Sequence, residues 1–309
     1  MMEDAKPLVV INCLTFNHKP YIRECLEGFV MQKTNFKFVA IVHDDASTDG
    51  TVAIIKEYAN KYPEIICPIL ETENQYSKKD GSLQRIVNEA INATGAKYVA
   101  MCEGDDYWID PYKLQKQVDF MEANEQYSMC FTNSNVRYDD CEYIAINNVW
   151  DSYTIDDIIN SNALNQNERG DRVVSCAHTS TVLYRRPVSS IPSWVSKCFI
   201  GDEPLFIFLA HKGKAKFINN ITSVYRAGVG VSSRNFNYEE DWKNRIKMYN
   251  IINDGLQYKY SKLINPIIAE FEYKLFKLLW KNGNKIKSLK YFYLVLKKDY
   301  CIILNRLKK

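Results

Sequence analysis

Residues 98–111 have the sequence YVAMCEGDDYWIDP, and this stretch decides the fold class. The apolar run 98–102 ends in the acidic turn 103–106, which holds three carboxylates in four residues. Asp110 before Pro111 is the pattern of a helix N-cap followed by proline at the first helical position. The stretch therefore predicts a buried strand, an acidic turn and the start of a helix.

The same order of apolar run, polar loop and helical pattern occurs three times before this stretch. Alternating buried strands and helices are typical of a parallel α/β layer, in which ligands bind at the carboxyl ends of the strands. The predicted strands are 8–16, 36–42, 65–70 and 98–102, and the predicted helices are 21–32, 51–62, 83–93 and 111–125.

The pattern is weaker in the second half of the chain. Residues 139–171 are polar and Asn-rich and predict a long loop, and such loops are often functional. We divide the chain into an α/β domain, 1–237, and a basic helical C-terminal extension, 238–309. Between the loop and the extension, we predict strands at 173–186 and 216–225 and a helix at 203–212.

The nine cysteines include no Cys-x-x-Cys pair, and several lie inside apolar runs. They are typical of buried thiols in a reducing compartment and not of a disulfide framework or a zinc site. The sequence also shows no apolar signal-peptide segment and no apolar run long enough to span a membrane. We therefore expect a cytoplasmic location.

A first acidic cluster, DDASTDGT at 44–51, follows the second predicted strand. Ser47, Thr48 or Asp49 can cap the next helix, and capping alone is one interpretation. Capping does not require the pair Asp44-Asp45, however. A carboxylate at that position can accept a hydrogen bond from a uracil or thymine imide or from a ribose hydroxyl, so a nucleotide-binding role is the other interpretation.

The second cluster is the acidic turn itself. One interpretation is an ordinary strand-to-helix connection. Because Asp110 already fits the capping role, Glu103, Asp105 and Asp106 have no capping function. Neighbouring carboxylates repel one another unless a cation offsets their charge, and Mg²⁺ and Mn²⁺ prefer oxygen ligands. The turn therefore favours a site for a metal ion and a diphosphate.

Together, these segments resemble the inverting family 2 glycosyltransferases of the GT-A fold. The matching features are Thr15-Phe16-Asn17, the 44–51 segment and the 103–106 turn, and the likeness covers roughly residues 7–235. The resemblance implies a mixed, mainly parallel sheet flanked by helices. It also divides the α/β domain into a nucleotide-sugar donor half, 1–110, and an acceptor half, 111–237.

The resemblance also implies roles for particular residues. The catalytic base of the family matches Asp202 in Gly201-Asp202-Glu203, with Glu203 as the alternative; Asp202 also fits a helix N-cap. On the donor side, Thr15 and Asn17 would line the nucleotide pocket, and Asp44 or Asp45 would contact the nucleotide base. Glu103 would face the ribose or sugar. Asp105 or Asp106 would hold Mn²⁺ or Mg²⁺ on the diphosphate.

Two departures from the family pattern stand out. Glu103 replaces the first aspartate of the acidic turn. Gly228 stands where relatives often carry a histidine that assists the metal or the diphosphate, so Arg226 or nearby amides would take more of the phosphate charge. His178 is a possible substitute, although we favour a structural histidine there.

The expected activity is metal-assisted, inverting transfer of a sugar from a UDP- or dTDP-linked donor to a hydroxyl of a glycan or lipid-linked acceptor, in surface polysaccharide, O-antigen or capsule biosynthesis. A nucleotidyltransferase is one alternative, but the loop 15–20 lacks the glycines of a phosphate-binding loop. A non-catalytic nucleotide- or carbohydrate-binding relative is the other.

The charge of the chain is segregated. The net charge is +3, yet residues 258–309 hold 13 Lys/Arg against 3 Asp/Glu, a net of +10, which leaves −7 for the rest. Helical patterns at 271–280 and 289–306 are interrupted by lysines. We favour helices that pack on the catalytic domain with a solvated lysine face, with a peripheral inner-leaflet membrane surface as the alternative. Nucleic-acid binding is not expected.

Overall fold

The computed structural model of the chain describes residues 6–138, 141–144, 151–164, 177–187, 191–229 and 237–299. Its strands are β1 Val9–Thr15, β2 Phe38–Asp44, β3 Ile66–Leu70, β4 Tyr98–Met101, β5 Tyr107–Trp108, β6 Tyr127–Tyr138, β7 Cys141–Ile144, β8 Ser152–Tyr153, β9 Val182–Arg185 and β10 Lys214–Arg226. Its helices are α1 Ile22–Val30, α2 Thr51–Lys61, α3 Ser82–Thr94, α4 Lys113–Ala123, α5 Ile155–Leu164, α6 Ser193–Ser196, α7 Asp202–Lys212, α8 Tyr238–Gly255, α9 Ser261–Lys281 and α10 Lys285–Asp299.

The described strands form one mixed sheet with the order β3-β2-β1-β4-β9-β6-β10-β5. Its first four strands are parallel, and β10 also runs parallel to β6. β9 lies antiparallel between β4 and β6, while β7 pairs with β6 and β8 pairs with β10. The predicted α/β class is confirmed.

The parallel half of the sheet is held by an apolar core. The strands β1, β2 and β4 are buried along nearly their whole length, and α1 contributes Ile22, Leu26 and Phe29 to the same cluster. Continuous apolar burial is expected where helices cover both faces of a parallel sheet. This core fixes the carboxyl ends of β1, β2 and β4 side by side.

The contacts between residues divide the chain into two compact units. The first contains Met1–Ile155, Asn165–Ser190 and Leu209–Val231, and therefore the whole described sheet. The second contains Asp156–Leu164, Ile191–Phe208 and Ser232–Lys309. The proposed domain boundary at 237/238 stays a prediction.

The predicted long loop 139–171 is wrong where the structure describes it. Its described parts include β7, β8 and α5. The remaining residues of this segment, and 173–176 of the predicted strand 173–186, lie outside the described residues. Two-residue strands such as β8 depend on a partner strand and leave almost no periodic pattern in the sequence.

The regular secondary structure described in the second unit is helical. Within it, α9 packs against both α8 and α10, and Tyr249 of α8 stacks on Phe271 of α9 with ring centroids 6.3 Å apart. None of the helices that the structure describes is both long and apolar enough to cross a membrane.

Candidate active site

Three loops meet at the carboxyl edge of the parallel half, directly after β1, β2 and β4. The Asp45 amide donates to the Thr15 carbonyl at 3.0 Å, which joins the second loop to the first. The Gly104 amide donates to the Leu14 carbonyl at 2.9 Å, which joins the third loop to the first. The structure thus brings the predicted donor-side loops together at the edge where α/β sheets bind ligands.

The first two loops are also held together by side chains. The main-chain amide of Asn17 donates to Ser47 Oγ at 2.8 Å. In the other direction, the main-chain amide of Thr48 donates to the side-chain oxygen Oδ1 of Asn17 at 2.9 Å. The Lys19 amide donates to Asp49 Oδ2 at 2.9 Å. Asn17, a predicted pocket residue, therefore uses its side-chain oxygen to fix the neighbouring loop.

The carboxylates of Asp44 and Asp45 are buried and accept hydrogen bonds from nearby groups. Asp44 accepts from the main-chain amide and the hydroxyl of Ser47, at 2.9 and 2.6 Å. Asp45 accepts from the main-chain amides of Gln75 and Tyr76, at 2.6 and 3.0 Å. Both carboxylates thus stabilise turns, and the predicted contact of either with a nucleotide base stays a prediction.

The acidic turn lies directly against β1. A β-carbon at Gly104 would lie 2.7 Å from Thr15 Oγ1 and 3.0 Å from His18 Nδ1, so only glycine allows this approach. Thr15 Oγ1 and His18 Nδ1 are both buried, and neither has a hydrogen-bond partner among the described residues. Unpaired buried polar atoms are uncommon and need an explanation, such as a bound ligand or water.

The carboxylates of the turn lie in different environments. Glu103 is exposed, whereas Asp105 is 8% and Asp106 1% exposed. Burial, followed by the neighbouring Asp105 charge, raises the pKa of Asp106 well above its usual range. Asp105 Oδ2 lies 3.9 Å from His18 Nε2. The turn therefore holds two neighbouring buried carboxyl groups whose interaction little water screens.

Arg226 is brought to the turn by the pairing of β5 with β10. Its main-chain amide donates to Asp106 Oδ1 at 2.9 Å, and its guanidinium donates to the Asp105 carbonyl and pairs with Glu24. The guanidinium also lies over the Tyr107 ring, 4.3 Å from its centroid. Arg226 is thus a buried cation held in place beside the acidic turn.

Lys113 is a second cation near this region that the sequence does not single out. It is fully buried at the start of α4, and its ammonium lies over the Trp108 ring, 4.4 Å from the centroid. Nζ donates to Gln117 Oε1 at 2.6 Å. Burial lowers the pKa of Lys113 to about 8. Neither Lys113 nor His18 has a sequence signal, because each is a single polar residue placed by tertiary packing.

The start of α4 also differs from the prediction. The helix begins at Lys113 with Tyr112 as its N-cap residue, so Asp110 and Pro111 precede the cap. The Asp110 carboxylate nevertheless accepts from the Tyr112 amide at 2.9 Å and pairs with Lys116. The Asp110 carboxylate is therefore bound by residues of its own turn and of α4.

Asp202 and Glu203 belong to the second unit, at the start of α7. Glu203 is 2% exposed; its carboxylate accepts from the Tyr249 hydroxyl and lies 3.6 Å from Arg245 Nη1. Asp202 is half-buried, and its Oδ1 accepts from the Glu203 amide at 2.8 Å. Of the two, Glu203 has the contacts of a structural ion pair.

The sequence model described as Glycosyl transferase family 2 matches residues 11–190, which is more than half of the chain. This match covers β1, β2, β4 and the three loops at their ends.

The chain belongs to glycosyl transferase family 2.

Two relatives show how far the likeness of this family 2 glycosyltransferase extends. An uncharacterized protein of Mycobacterium tuberculosis is 41% identical over 127 residues, which are 41% of this chain and 35% of that protein. The Escherichia coli UDP-Glc:alpha-D-GlcNAc-diphosphoundecaprenol beta-1,3-glucosyltransferase WfaP is 28% identical over 247 residues, 79% of this chain and 85% of WfaP. The chain thus matches only about a third of the mycobacterial relative's length.

Two solved structures share the fold. Staphylococcus aureus TarS in complex with UDP-GlcNAc has a TM-score of 0.59 at 16% identity, covering 93% of this chain and 81% of that chain. The mannosyltransferase PcManGT from Pyrobaculum calidifontis, in complex with GDP-Man and Mn²⁺, has a TM-score of 0.51 at 15% identity, covering 94% and 86%. The expected GT-A fold is confirmed.

The departure from the family pattern at Gly228 involves the backbone as well as the side chain. Gly228 has a φ of +83°, a conformation that strains a residue with a β-carbon. His178 stacks on Tyr225, with ring centroids 4.4 Å apart. This contact is the kind expected of the structural histidine that we favoured at 178.

The acidic turn fits a divalent metal that has few protein ligands. No group of three or more His, Cys, Asp or Glu side chains in the described part of the chain is arranged to hold a metal. Asp106 already accepts from Arg226, and Asp105 lies beside it. A hard cation at this turn would be held by one or two carboxylates and complete its shell with phosphate oxygens and water, as Mg²⁺ commonly does.

Proposed function

We propose that the chain is a nucleotide-sugar-dependent glycosyltransferase that transfers a sugar, with inversion, from a UDP- or dTDP-linked donor to an acceptor hydroxyl. The observation that carries this proposal is the buried acidic pair Asp105 and Asp106 at the end of β4, in a chain of family 2. Arg226 lies beside this pair but also pairs with Glu24, so it offsets only part of the electrostatic cost of two buried neighbouring carboxyl groups. A divalent metal on a diphosphate would offset the rest.

The donor side consists of the three loops after β1, β2 and β4. Thr15 and Asn17 would line the nucleotide pocket, and Asp44 or Asp45 would contact the base. Thr15 Oγ1 is buried without a hydrogen-bond partner in the described part of the chain, which supports a pocket at this point. Because UDP-GlcNAc is bound by TarS, which shares the fold, a uridine donor is the first to test.

Asp105 and Asp106 would hold Mn²⁺ or Mg²⁺, and Glu103 would face the ribose or the sugar. When bound, the metal supplies positive charge that stabilises the leaving diphosphate. Arg226 adds a fixed cation beside these carboxylates. Its guanidinium already pairs with Glu24, so we assign to it the positioning of the turn through Asp106 and a secondary contribution to the phosphate charge.

Asp202 would act as the base that removes the proton from the acceptor hydroxyl. Glu203, the alternative, is buried and engaged by Tyr249 and Arg245. A base must reach the acceptor, and a carboxylate at the half-buried start of a helix suits this role better than a buried ion pair.

The acceptor would be a glycan or a lipid-linked glycan of a surface polysaccharide, O-antigen or capsule. The support comes from WfaP, whose name gives a diphosphoundecaprenol-linked acceptor and whose match covers 79% of this chain.

Donor hydrolysis tests the proposal without a known acceptor. The chain should release nucleoside diphosphate from one member of a panel of UDP-, dTDP- and GDP-sugars, and only with Mn²⁺ or Mg²⁺ present. Asp105→Asn should abolish this release, whereas Asp119→Asn, a change at an exposed aspartate of α4, should leave it intact. Release of pyrophosphate from a nucleoside triphosphate and a sugar phosphate would instead indicate a nucleotidyltransferase.

A further inference from the structure

Helix α10 presents an apolar stripe to solvent. Ile286, Leu289, Tyr293 and Leu296 are spaced by three, four and three residues, so they lie on one face of the helix. Their exposed fractions are 87%, 54%, 63% and 44%. Single exposed apolar residues are ordinary, but a contiguous stripe of four on one helix indicates an interaction surface.

The orientation of α10 is fixed by its opposite face. Ser288 and Val295 are fully buried, and Ser288 Oγ donates to the Phe276 carbonyl of α9 at 2.9 Å. Lys298 pairs with Glu272, a buried carboxylate of α9. Because this face is anchored to α9, the apolar stripe cannot turn inward without breaking these contacts.

Lysines border the stripe. Lys290 and Lys297 are both exposed. At 100° per residue, they lie next to the stripe on the helix surface and opposite the buried residues Ser288 and Val295. The whole helix carries five lysines and one acidic residue, the terminal Asp299. The end of α9 adds Trp280, which is 46% exposed. The surface therefore combines apolar and aromatic side chains with positive charge.

We propose that this α10 stripe docks on an anionic lipid surface. An interfacial helix buries an apolar face in the region between headgroups and acyl chains, while lysines beside that face bind anionic headgroups. The net charge of +10 over residues 258–309 has the complementary sign. A second copy is a poorer occupant, because a two-fold contact would bring two lysine-bordered stripes together. A fully solvated lysine face does not explain why Ile286 is almost completely exposed.

Vesicle flotation with the full chain tests this proposal without donor or acceptor, so its result does not depend on the proposed activity. We expect binding to phosphatidylcholine vesicles that contain about 30% phosphatidylglycerol, no binding to phosphatidylcholine alone, and weaker binding at high salt. The double change Leu289→Ser and Tyr293→Ser should reduce the partition coefficient at least about tenfold. Lys290→Gln and Lys297→Gln should each reduce it about fivefold.

Two matched changes in the first unit serve as controls. Tyr112→Ser removes another exposed aromatic side chain and Lys56→Gln another exposed lysine, and both variants should bind as the unchanged protein does. Circular dichroism shows whether each variant is folded. A folded, unchanged protein that stays unbound to anionic vesicles at low salt would overturn the proposal. A second result would also overturn it. The unchanged protein would form a dimer and not bind vesicles, and the double change at Leu289 and Tyr293 would dissociate that dimer.

Discussion

The two acidic loops at the sheet edge each bury a pair of aspartates, but the two pairs have different contacts. After β2, the carboxylates of Asp44 and Asp45 accept four hydrogen bonds from main-chain amides and a hydroxyl nearby. After β4, Asp105 and Asp106 lie side by side, and burial together with the Asp105 charge raises the pKa of Asp106. The carboxylates of the first loop are bound by nearby amides and a hydroxyl, whereas Asp106 in the second accepts from the Arg226 amide and lies beside a second buried carboxyl group. We propose the metal-bound diphosphate at the second loop for this reason.

The same difference separates the two acids at the start of α7. Glu203 is held by Tyr249 and Arg245, whereas Asp202 accepts one hydrogen bond, from the next amide, in the described contacts. A carboxylate whose hydrogen bonds are satisfied within the protein contributes to stability, and one that is not is available for chemistry. Mutations at these positions should therefore separate activity from stability.

The largest effect is expected at Asp202. Asp202→Asn should lower transfer by about 10²–10⁴-fold, because a general base contributes on this scale. Donor binding, measured by calorimetry with the preferred nucleotide sugar, should be unchanged. Near-normal turnover in this variant would remove Asp202 as the base.

Glu203→Gln is the matched change at the adjacent residue. It removes the buried charge that Tyr249 and Arg245 contact, while Arg245 keeps its ion pair with Asp241. We therefore expect a loss of about 2 kcal/mol in the free energy of unfolding. The remaining folded protein should keep its turnover. If turnover were lost at full stability instead, Glu203 would be the base.

Asp105→Asn should reduce turnover about a hundredfold or more, since a metal ion contributes several kcal/mol to the transition state. Its melting temperature should stay the same or rise, because the change removes the Asp105 charge that, after burial, raises the pKa of Asp106. Thermal melting and donor release measured on the same preparation decide this. A much lower melting temperature in the variant would show that the Asp105 carboxylate stabilises the fold, as we infer for Asp45.

Asp45→Ala should lower the free energy of unfolding. The main-chain amides of Gln75 and Tyr76 lose their acceptor, which costs about 2 kcal/mol in the free energy of unfolding. Chemical denaturation measures this loss. Unchanged stability would show that these amides find other acceptors, and the difference between the two loops would then disappear.

The last effect appears only on titration and concerns Lys113, whose ammonium lies over the Trp108 ring. Its pKa is lowered to about 8 in the folded chain from an ordinary 10.5, so the unfolded state binds more protons between these values. Stability should therefore rise with pH by about 1 kcal/mol per unit from about pH 8 to pH 10.5. Lys113→Met should remove this rise, as measured by denaturation across that range. An identical pH profile in both proteins would show that Lys113 titrates normally.

The sequence predicts the parallel half of the fold well because β1, β2 and β4 are buried strands formed by local apolar runs, and β3 is a mostly apolar, partly buried run at the sheet edge. The order of the later strands depends on long-range pairing. Nothing in residues 182–185 shows that β9 lies antiparallel between β4 and β6. The pairing of β5 with β10, which places Arg226 beside Asp106, is equally invisible, because β5 has only two residues.

The candidate site shows the same limit. The acidic segments 44–51 and 103–106 are visible in the sequence because charged clusters after apolar runs are rare. Sequence alone does not show how the carboxylates of either loop are bound, since the amides that bind Asp45 belong to residues 75 and 76 and the amide that binds Asp106 belongs to residue 226. His18 beside Asp105 is likewise a product of tertiary packing.

The most direct test of the central claim is calorimetric titration of nucleotide sugars into the full chain and into Asp105→Asn, each with and without Mn²⁺. We predict that one donor binds the unchanged chain, that Mn²⁺ strengthens this binding, and that Asp105→Asn loses the Mn²⁺-dependent part while keeping its fold. Donor binding of equal strength in both proteins, with or without Mn²⁺, would contradict the assignment of the acidic turn as the diphosphate site.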